Sequence, residues 1–345
     1  MKKRSLLIAA LLVLALVFSA CSQTGSKNDT NTNDTNVNNP VDDTAKVYKV
    51  GITQIAQHAS LDNCREGFIQ GLAEGGFVQG ENLEIIYQNA NNDTNIATSI
   101  AQQFVSQNVD LMGAIATPSA MACYGAGRDA DIPLIFCAVS DPVAAGLVPA
   151  MGQAGDGVTG VSDLIPVEKQ LDLIKVMLPE AASVGILYNT SEPNSETQIS
   201  LYQAASADYG VEIVTIGVTA ANEIPLAAER LAAQVDCIVN LTDNLIVENL
   251  PVVLDRADAA GIPVFGSEEE QVKNGCLASE GLDYVALGRQ TGAMAARVLA
   301  GEDISTIGSE YVEESKLTIN QAVADALGIT IPAELAERAE YTDAE

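Results

Sequence analysis

The chain contains a single histidine, His58, with Ser60 and Cys64 close behind it. An imidazole beside a hydroxyl or thiol is the start of a nucleophilic constellation. That chemistry also needs a third group to orient the base, and none is identifiable from the neighbouring residues. The same stretch, Val50 to Asp62, admits a second chemistry. Its apolar run Val50-Gly51-Ile52 ends in polar residues, among them Gln54, directly ahead of a helical pattern that begins near Leu61. Ser60 and Asp62 can cap that helix, and the free N–H groups of a helix start form an anion site. In this setting His58 donates a hydrogen bond to a ligand, stacks against it, or fixes the shape of the loop.

Five further polar segments follow apolar runs in the same way. They hold Thr117, Ser119 and Ala120; Ser140 and Asp141; Asn189, Ser191, Asn194 and Ser195; Thr242, Asp243 and Asn244; and Glu268. Each Ser, Thr and Asn reads equally as a helix cap or turn former and as a ligand contact.

The elements that must carry these loops alternate between strand and helix from Lys46 onward. Strands are expected around Val47–Ile52, Leu83–Tyr87, Val109–Ala116 and Ile132–Phe136, with helices over 61–74, 96–106 and 121–128 between them. The order then recurs. Val184-Gly185-Ile186 repeats Val50-Gly51-Ile52, Val235-Asp236 repeats Val109-Asp110, and Ile262-Pro263 repeats Ile132-Pro133, each about 130 residues later. Two copies of one βα unit imply an α/β fold of two doubly wound parallel-sheet lobes, with ligands held beyond the carboxyl ends of the strands. The Gly- and Ala-rich stretch Pro142–Pro166 reads as the first crossing between lobes. A short strand near Cys276–Ser279, a helix over 284–299 and the strand Lys316–Asn320 supply further crossings and a hinge. The expected division is 46–160 plus about 276–303 for lobe 1 and 161–275 plus about 304–332 for lobe 2, with an acidic tail at 333–345.

A chain of 345 residues can fill two such cores. Its 46 acidic against 17 basic residues give a formal charge of −29, which opposes binding to a phosphate backbone. Residues 1–20 have a basic start, an apolar run from Leu6 to Phe18 and a small-residue end before Cys21, the pattern of a secretory signal. A cysteine at that place resembles the bacterial lipobox, which implies lipidation of Cys21. Residues 21–45 are rich in Asn, Thr, Asp and Ser and read as a disordered tether. Cys64, Cys123, Cys137, Cys237 and Cys276 form no CxxC pair; buried free thiols are expected, disulfides stay open, and no metal site is assigned.

Over roughly residues 46 to 332 the chain resembles a type I periplasmic-binding fold, and more closely the ABC-transporter substrate-binding lipoproteins that include tryptophan- and tyrosine-binding members. The resemblance is carried by Ile52-Thr53-Gln54 with His58 and Leu61-Asp62, Ala116-Thr117-Pro118-Ser119-Ala120, Val139-Ser140-Asp141-Pro142-Val143, Tyr188-Asn189 with Glu192-Pro193-Asn194-Ser195, Thr242-Asp243-Asn244 and Gly266-Ser267-Glu268. It implies a receptor that closes its lobes over a solute and docks on a membrane permease driven by a separate ATPase. No cofactor or nucleic-acid partner is implied, and a monomer held at the extracytoplasmic face of the cell membrane is expected. An amino acid, aromatic or hydrophobic, is the expected ligand: Thr117 and Ser119 offer donors to its carboxylate, with the loop Asn189–Ser195 repeating that arrangement. Asp141, Asp243 and Glu268 are candidate partners for its ammonium. With no tryptophan in the chain, an aromatic wall must come from residues such as Tyr124, Tyr188 or Tyr284, while Phe136 and Phe265 read as core. The rival readings are a sensory receptor of the same fold and, behind it, an enzyme using the same cleft.

Overall fold

The computed structural model describes residues 46–164, 167–312 and 315–342. The segments expected to be a secretory signal and a tether, with Cys21 between them, lie outside these residues, as do positions 343–345. No helix of the described residues is long and apolar enough to cross a membrane.

The first lobe opens with β1 (Tyr48–Gln54), α1 (Ala59–Glu74), β2 (Leu83–Asn89), α2 (Thr94–Ser106), β3 (Leu111–Ile115), α3 (Thr117–Gly127), β4 (Leu134–Cys137) and β5 (Val158–Ser162). The second holds α4 (Val167–Met177), β6 (Ser183–Asn189), α5 (Pro193–Tyr209), β7 (Glu212–Val218), α6 (Ile224–Ala232), β8 (Cys237–Val239), α7 (Asn244–Glu248), α8 (Leu250–Ala260), β9 (Val264–Phe265), α9 (Glu269–Lys273) and β10 (Ala278–Gly281). The chain then gives α10 (Tyr284–Leu299), β11 (Glu310–Tyr311), β12 (Lys316–Asn320), α11 (Gln321–Leu327), α12 (Ala333–Ala336) and β13 (Glu340–Thr342).

The duplication read from the sequence is visible in the strand order. The first sheet runs β11-β5-β4-β3-β1-β2 and the second β7-β6-β8-β9, so β2-β1-β3-β4 in one lobe matches β7-β6-β8-β9 in the other. Every pairing within these two sheets is parallel. The repeated glycine has the same reason in both copies. A Cβ on Gly51 would sit 2.7 Å from the Phe104 ring of α2, and one on Gly185 would sit 2.9 Å from Leu231 of α6. In each copy a helix lies so close to the central strand that only hydrogen fits there.

Several boundaries differ from the sequence reading. The stretch 142–166 contains β5, buried throughout, before the chain crosses over; α4 behind it was unread. Residues 278–281, expected in lobe 1, form β10 and pair antiparallel with β12 beside the second lobe, where Leu277 and Ala278 join the core of Leu317 and Ile319. Residues 310–311, expected in lobe 2, form β11 at the edge of the first sheet. The 333–342 part of the acidic tail packs on the second lobe: Leu335 is buried there and β13 extends β12 in parallel. Burial of one leucine and a row of backbone hydrogen bonds outweigh the acidic composition there.

The helix 284–299 packs on the first lobe, with Leu287, Met294 and Ala295 in its core. Gly67 and Gly71 of α1 face Gly288 and Gly292 of α10, and a Cβ at Gly67 would lie 2.1 Å from the Val285 carbonyl oxygen. Three passages thus join the lobes: after β5, between β10 and α10, and between β11 and β12. The strands end toward a common cleft.

Candidate functional site

At the carboxyl ends of these strands lies a small cavity. The first lobe lines it with His58, Ser60 and Leu61 after β1, Ala116 and Thr117 after β3, Ala138 and Ser140 after β4, and Asp163 after β5. The second lobe contributes Asn194, Thr242, Asn244, Val247, Glu268 and Gln271, and Tyr284 opens α10. In the first sheet, β1 lies between β2 and β3, so the His58 and Thr117 loops leave from the point where the strand order reverses, the usual ligand crevice of such sheets.

Two buried carboxyls face this space. Asp163 accepts from Ser140 Oγ at 2.9 Å and Tyr284 Oη at 2.8 Å, and burial raises its pKa despite both donors. Glu268 accepts from Ser60 Oγ at 2.9 Å and from the Gln271 N–H at 3.0 Å, capping α9; burial pushes it up to about 7. No lysine or arginine lines the cavity among the described residues. A solute that brings a cationic group would let both carboxyls ionise.

The opposite character comes from α3. Its first turn has backbone N–H groups without intrahelical partners, and the buried Thr117 Oγ1 has no hydrogen-bond partner. The Asn194 side chain donates to the Thr242 carbonyl at 3.1 Å, leaving its buried Oδ1 unpaired. Ala116 and Ala138 both hold positive φ, 73° and 55°, which costs an alanine energy and is the kind of strain found where a chain is bent around a ligand. The cavity therefore combines acidic groups, neutral donors at a helix start, and the apolar surface of Leu61, Val247 and Tyr284.

The lobes touch across it. Besides Ser60 to Glu268, Ser140 Oγ lies 3.3 Å from Thr242 Oγ1, Asn63 donates to Glu270 at 3.2 Å, Asn92 donates to Glu248, and His58 Nε2 lies 3.4 Å from Asn244 Oδ1. Burial lowers the His58 pKa to about 4, outweighing its bond to Asn244 and the charge of Asp62, so the ring is neutral near pH 7.

Of the residues singled out in the sequence, His58, Ser60, Leu61, Thr117, Ser140, Asn194, Thr242, Asn244 and Glu268 meet at the cavity. The others are placed elsewhere. Gln54 and Asp62 bond to each other at 3.0 Å and both hold Arg65, shaping the loop from behind. Ser119 and Ala120 lie buried one step along α3. Asp141 caps a turn by accepting from the Val143 and Ala144 N–H groups. Asn189 and Ser195 donate to Asp243, Ser191 donates its N–H to Asn189, and Asp243 caps α7. Burial, reinforced by Glu192, pushes Asp243 up to about 8; it is an internal brace rather than a cavity group. Of the three tyrosines considered, Tyr284 lines the cavity. Phe136 and Phe265 are core, and all five described cysteines are buried and free.

Ala116, Ala138, Asp163, Val247 and Gln271 were not foreseen. Asp163 was hidden because its strand was unread, and an alanine in a strained conformation carries no mark in sequence. No cluster able to hold a metal ion occurs among the described residues.

Residues 49–342 match the family described as ABC transporter substrate binding protein. A tyrosine-binding protein of Clostridioides difficile is 38% identical over 94% of this chain and 91% of its own length. A domain from Streptococcus pneumonia solved in complex with L-Trp is 33% identical, covers 86% of this chain and all of that one, and superposes with a TM-score of 0.83. A ligand-free, open structure of a substrate binding protein with adhesive properties from Clostridium difficile is 39% identical over 87% of this chain and all of that one, yet its TM-score is 0.66. A type 1 periplasmic binding protein from Bordetella pertussis, at 13% identity over 74% of this chain and 83% of that one, shares the fold with a TM-score of 0.55.

Proposed function

The chain belongs to the ABC transporter substrate-binding protein family, and from that premise we propose that it captures an aromatic or hydrophobic amino acid between its lobes for import. The observation that carries the reading is the pairing, in one cavity, of the buried carboxyls Asp163 and Glu268 with the partnerless Thr117 hydroxyl at the start of α3. A zwitterion satisfies both. Its ammonium is drawn to the carboxyls, and its carboxylate to neutral N–H and O–H donors and the helix dipole.

Lobe closure is part of this proposal. Sequence identity to the ligand-free open structure is the higher of the two, but superposition on the L-Trp complex is better. That contrast supports a difference in lobe arrangement rather than in lobe fold. The cross-lobe bonds around Ser60, Ser140 and His58 act as the latch, and the closed form docks on a permease served by a separate ATPase. The protein works as a monomer at the extracytoplasmic face of the membrane, tethered by lipid on Cys21.

Thermal-shift measurements on the mature domain with each common amino acid at millimolar concentration test the ligand class. A solute that binds only the folded form must raise the melting temperature. Tyrosine or tryptophan should give the largest increase; no increase from any amino acid would defeat the assignment.

A further inference from the structure

The chemistry of the ligand's side chain is written in the hydrogen bonds behind His58, provided the cavity is the amino-acid site proposed above. Glu192, buried at the start of α5, accepts from the backbone N–H of Asn244 at 3.0 Å, from that of Leu245 at 3.1 Å, and from Asn244 Nδ2 at 2.6 Å. A carboxylate only accepts, so the Asn244 amide turns its NH₂ toward Glu192 and its carbonyl oxygen the other way. That oxygen, 3.4 Å from His58 Nε2, is itself only an acceptor. The proton of the neutral imidazole must therefore sit on Nε2. Nδ1 is left with a bare lone pair, buried and without a partner, and it does not cap α1 although His58 occupies the capping position.

We infer that His58 accepts a hydrogen bond at Nδ1 from the far end of the ligand's side chain, so that the solute is an amino acid carrying a phenolic hydroxyl or an indole N–H. Leu61 and Val247 line the same cavity and give its ring an apolar flank. Phenylalanine matches the flank but leaves Nδ1 unpaired on closure. An unsatisfied buried acceptor lowers affinity by about tenfold or more. The carbonyl of Asn244 thus acts as a positioning group, fixing the tautomer through Glu192 without touching the solute.

Because the chain has one histidine, ¹⁵N-histidine labelling of the mature protein reports on this ring alone. Long-range ¹H–¹⁵N correlation at pH 7 should show the Nε2–H tautomer, with the Nδ1 resonance moving upfield on addition of tyrosine or tryptophan and staying in place with phenylalanine. Calorimetry should rank tyrosine or tryptophan at least about tenfold above phenylalanine, the tighter of the two distinguishing phenol from indole. In His58→Ala, whose fold is checked by its melting curve, the ratio should fall to within about threefold. An Nδ1–H tautomer, or a His58→Ala variant that weakens tyrosine, tryptophan and phenylalanine equally, overturns the inference. Equal affinities for the three in the unaltered protein overturn it while leaving amino-acid capture intact; failure of all three to bind overturns both.

Discussion

Substituting Glu268 by Gln isolates one proton-linked contribution to stability. Burial moves this carboxyl from 4.5 to about 7 even though Ser60 and the start of α9 donate to it. The folded chain therefore keeps a proton that the unfolded chain gives up above about pH 4.5. A raised carboxyl of this kind contributes stability that is complete below the unfolded pKa and disappears as pH rises through the folded one. At 1.36 kcal/mol per pH unit, the loss between pH 4.5 and 7 is about 3 kcal/mol. Asp243, raised to about 8, imposes a slope of the same sign, so the diagnostic quantity is the difference between the two proteins. Urea unfolding of ligand-free protein at half-unit steps from pH 4.5 to 7.5 should show the stability of the wild type relative to Glu268→Gln falling by about that amount. Curves that stay parallel across the window would refute the reasoning. Binding should reveal the same proton: an ammonium against Glu268 holds it ionised, so near pH 6 capture releases about 0.9 proton from this group. Calorimetry in buffers of different ionisation enthalpy should find that much more proton release in the wild type than in the variant.

Thr117→Val removes a buried hydroxyl that has no partner; affinity for the amino acid should drop about tenfold with the ligand-free urea midpoint unchanged, and a variant that binds normally would exclude Thr117 from carboxylate recognition. Gly67→Ala places a Cβ 2.1 Å from the Val285 carbonyl and should cost about 1–3 kcal/mol by forcing α1 and α10 apart, seen as a lower urea midpoint; a neutral result would mean the helices separate freely.

The architecture was readable because the duplicated units share both hydrophobic pattern and chain order: Val50-Gly51-Ile52 and Val184-Gly185-Ile186 occupy equivalent central strands. Half of the cavity followed from the same logic, since polar groups after buried strands have few other places to go. What stayed hidden depended on partners distant in the chain. Val158-Thr159-Gly160-Val161-Ser162 does not look like a buried strand in a stretch of glycine and alanine, although Gly160 is there because a Cβ would meet the Phe136 carbonyl at 2.0 Å. Asp163 became visible only with that strand in place. Asp243 looked like an ammonium partner, but Ser195 and the Asn189 N–H occupy it. His58 stood out from the first reading, yet its role as an acceptor depends on Glu192 and Asn244, which no local pattern connects to it.

The glycine-lined contact of α1 with α10 also constrains how the chain can reach its native state. Residues 59–74 find their partner only at 284–299, more than 200 positions later. A nascent chain displaying the whole first βα series still lacks one flank of that lobe, and β12 and β13 complete the other lobe later still. Such long-range closure slows folding and leaves apolar surface open in the partial chain. Neither lobe is a self-sufficient folding unit of its N-terminal residues, so removing the last sixty residues would unmake both.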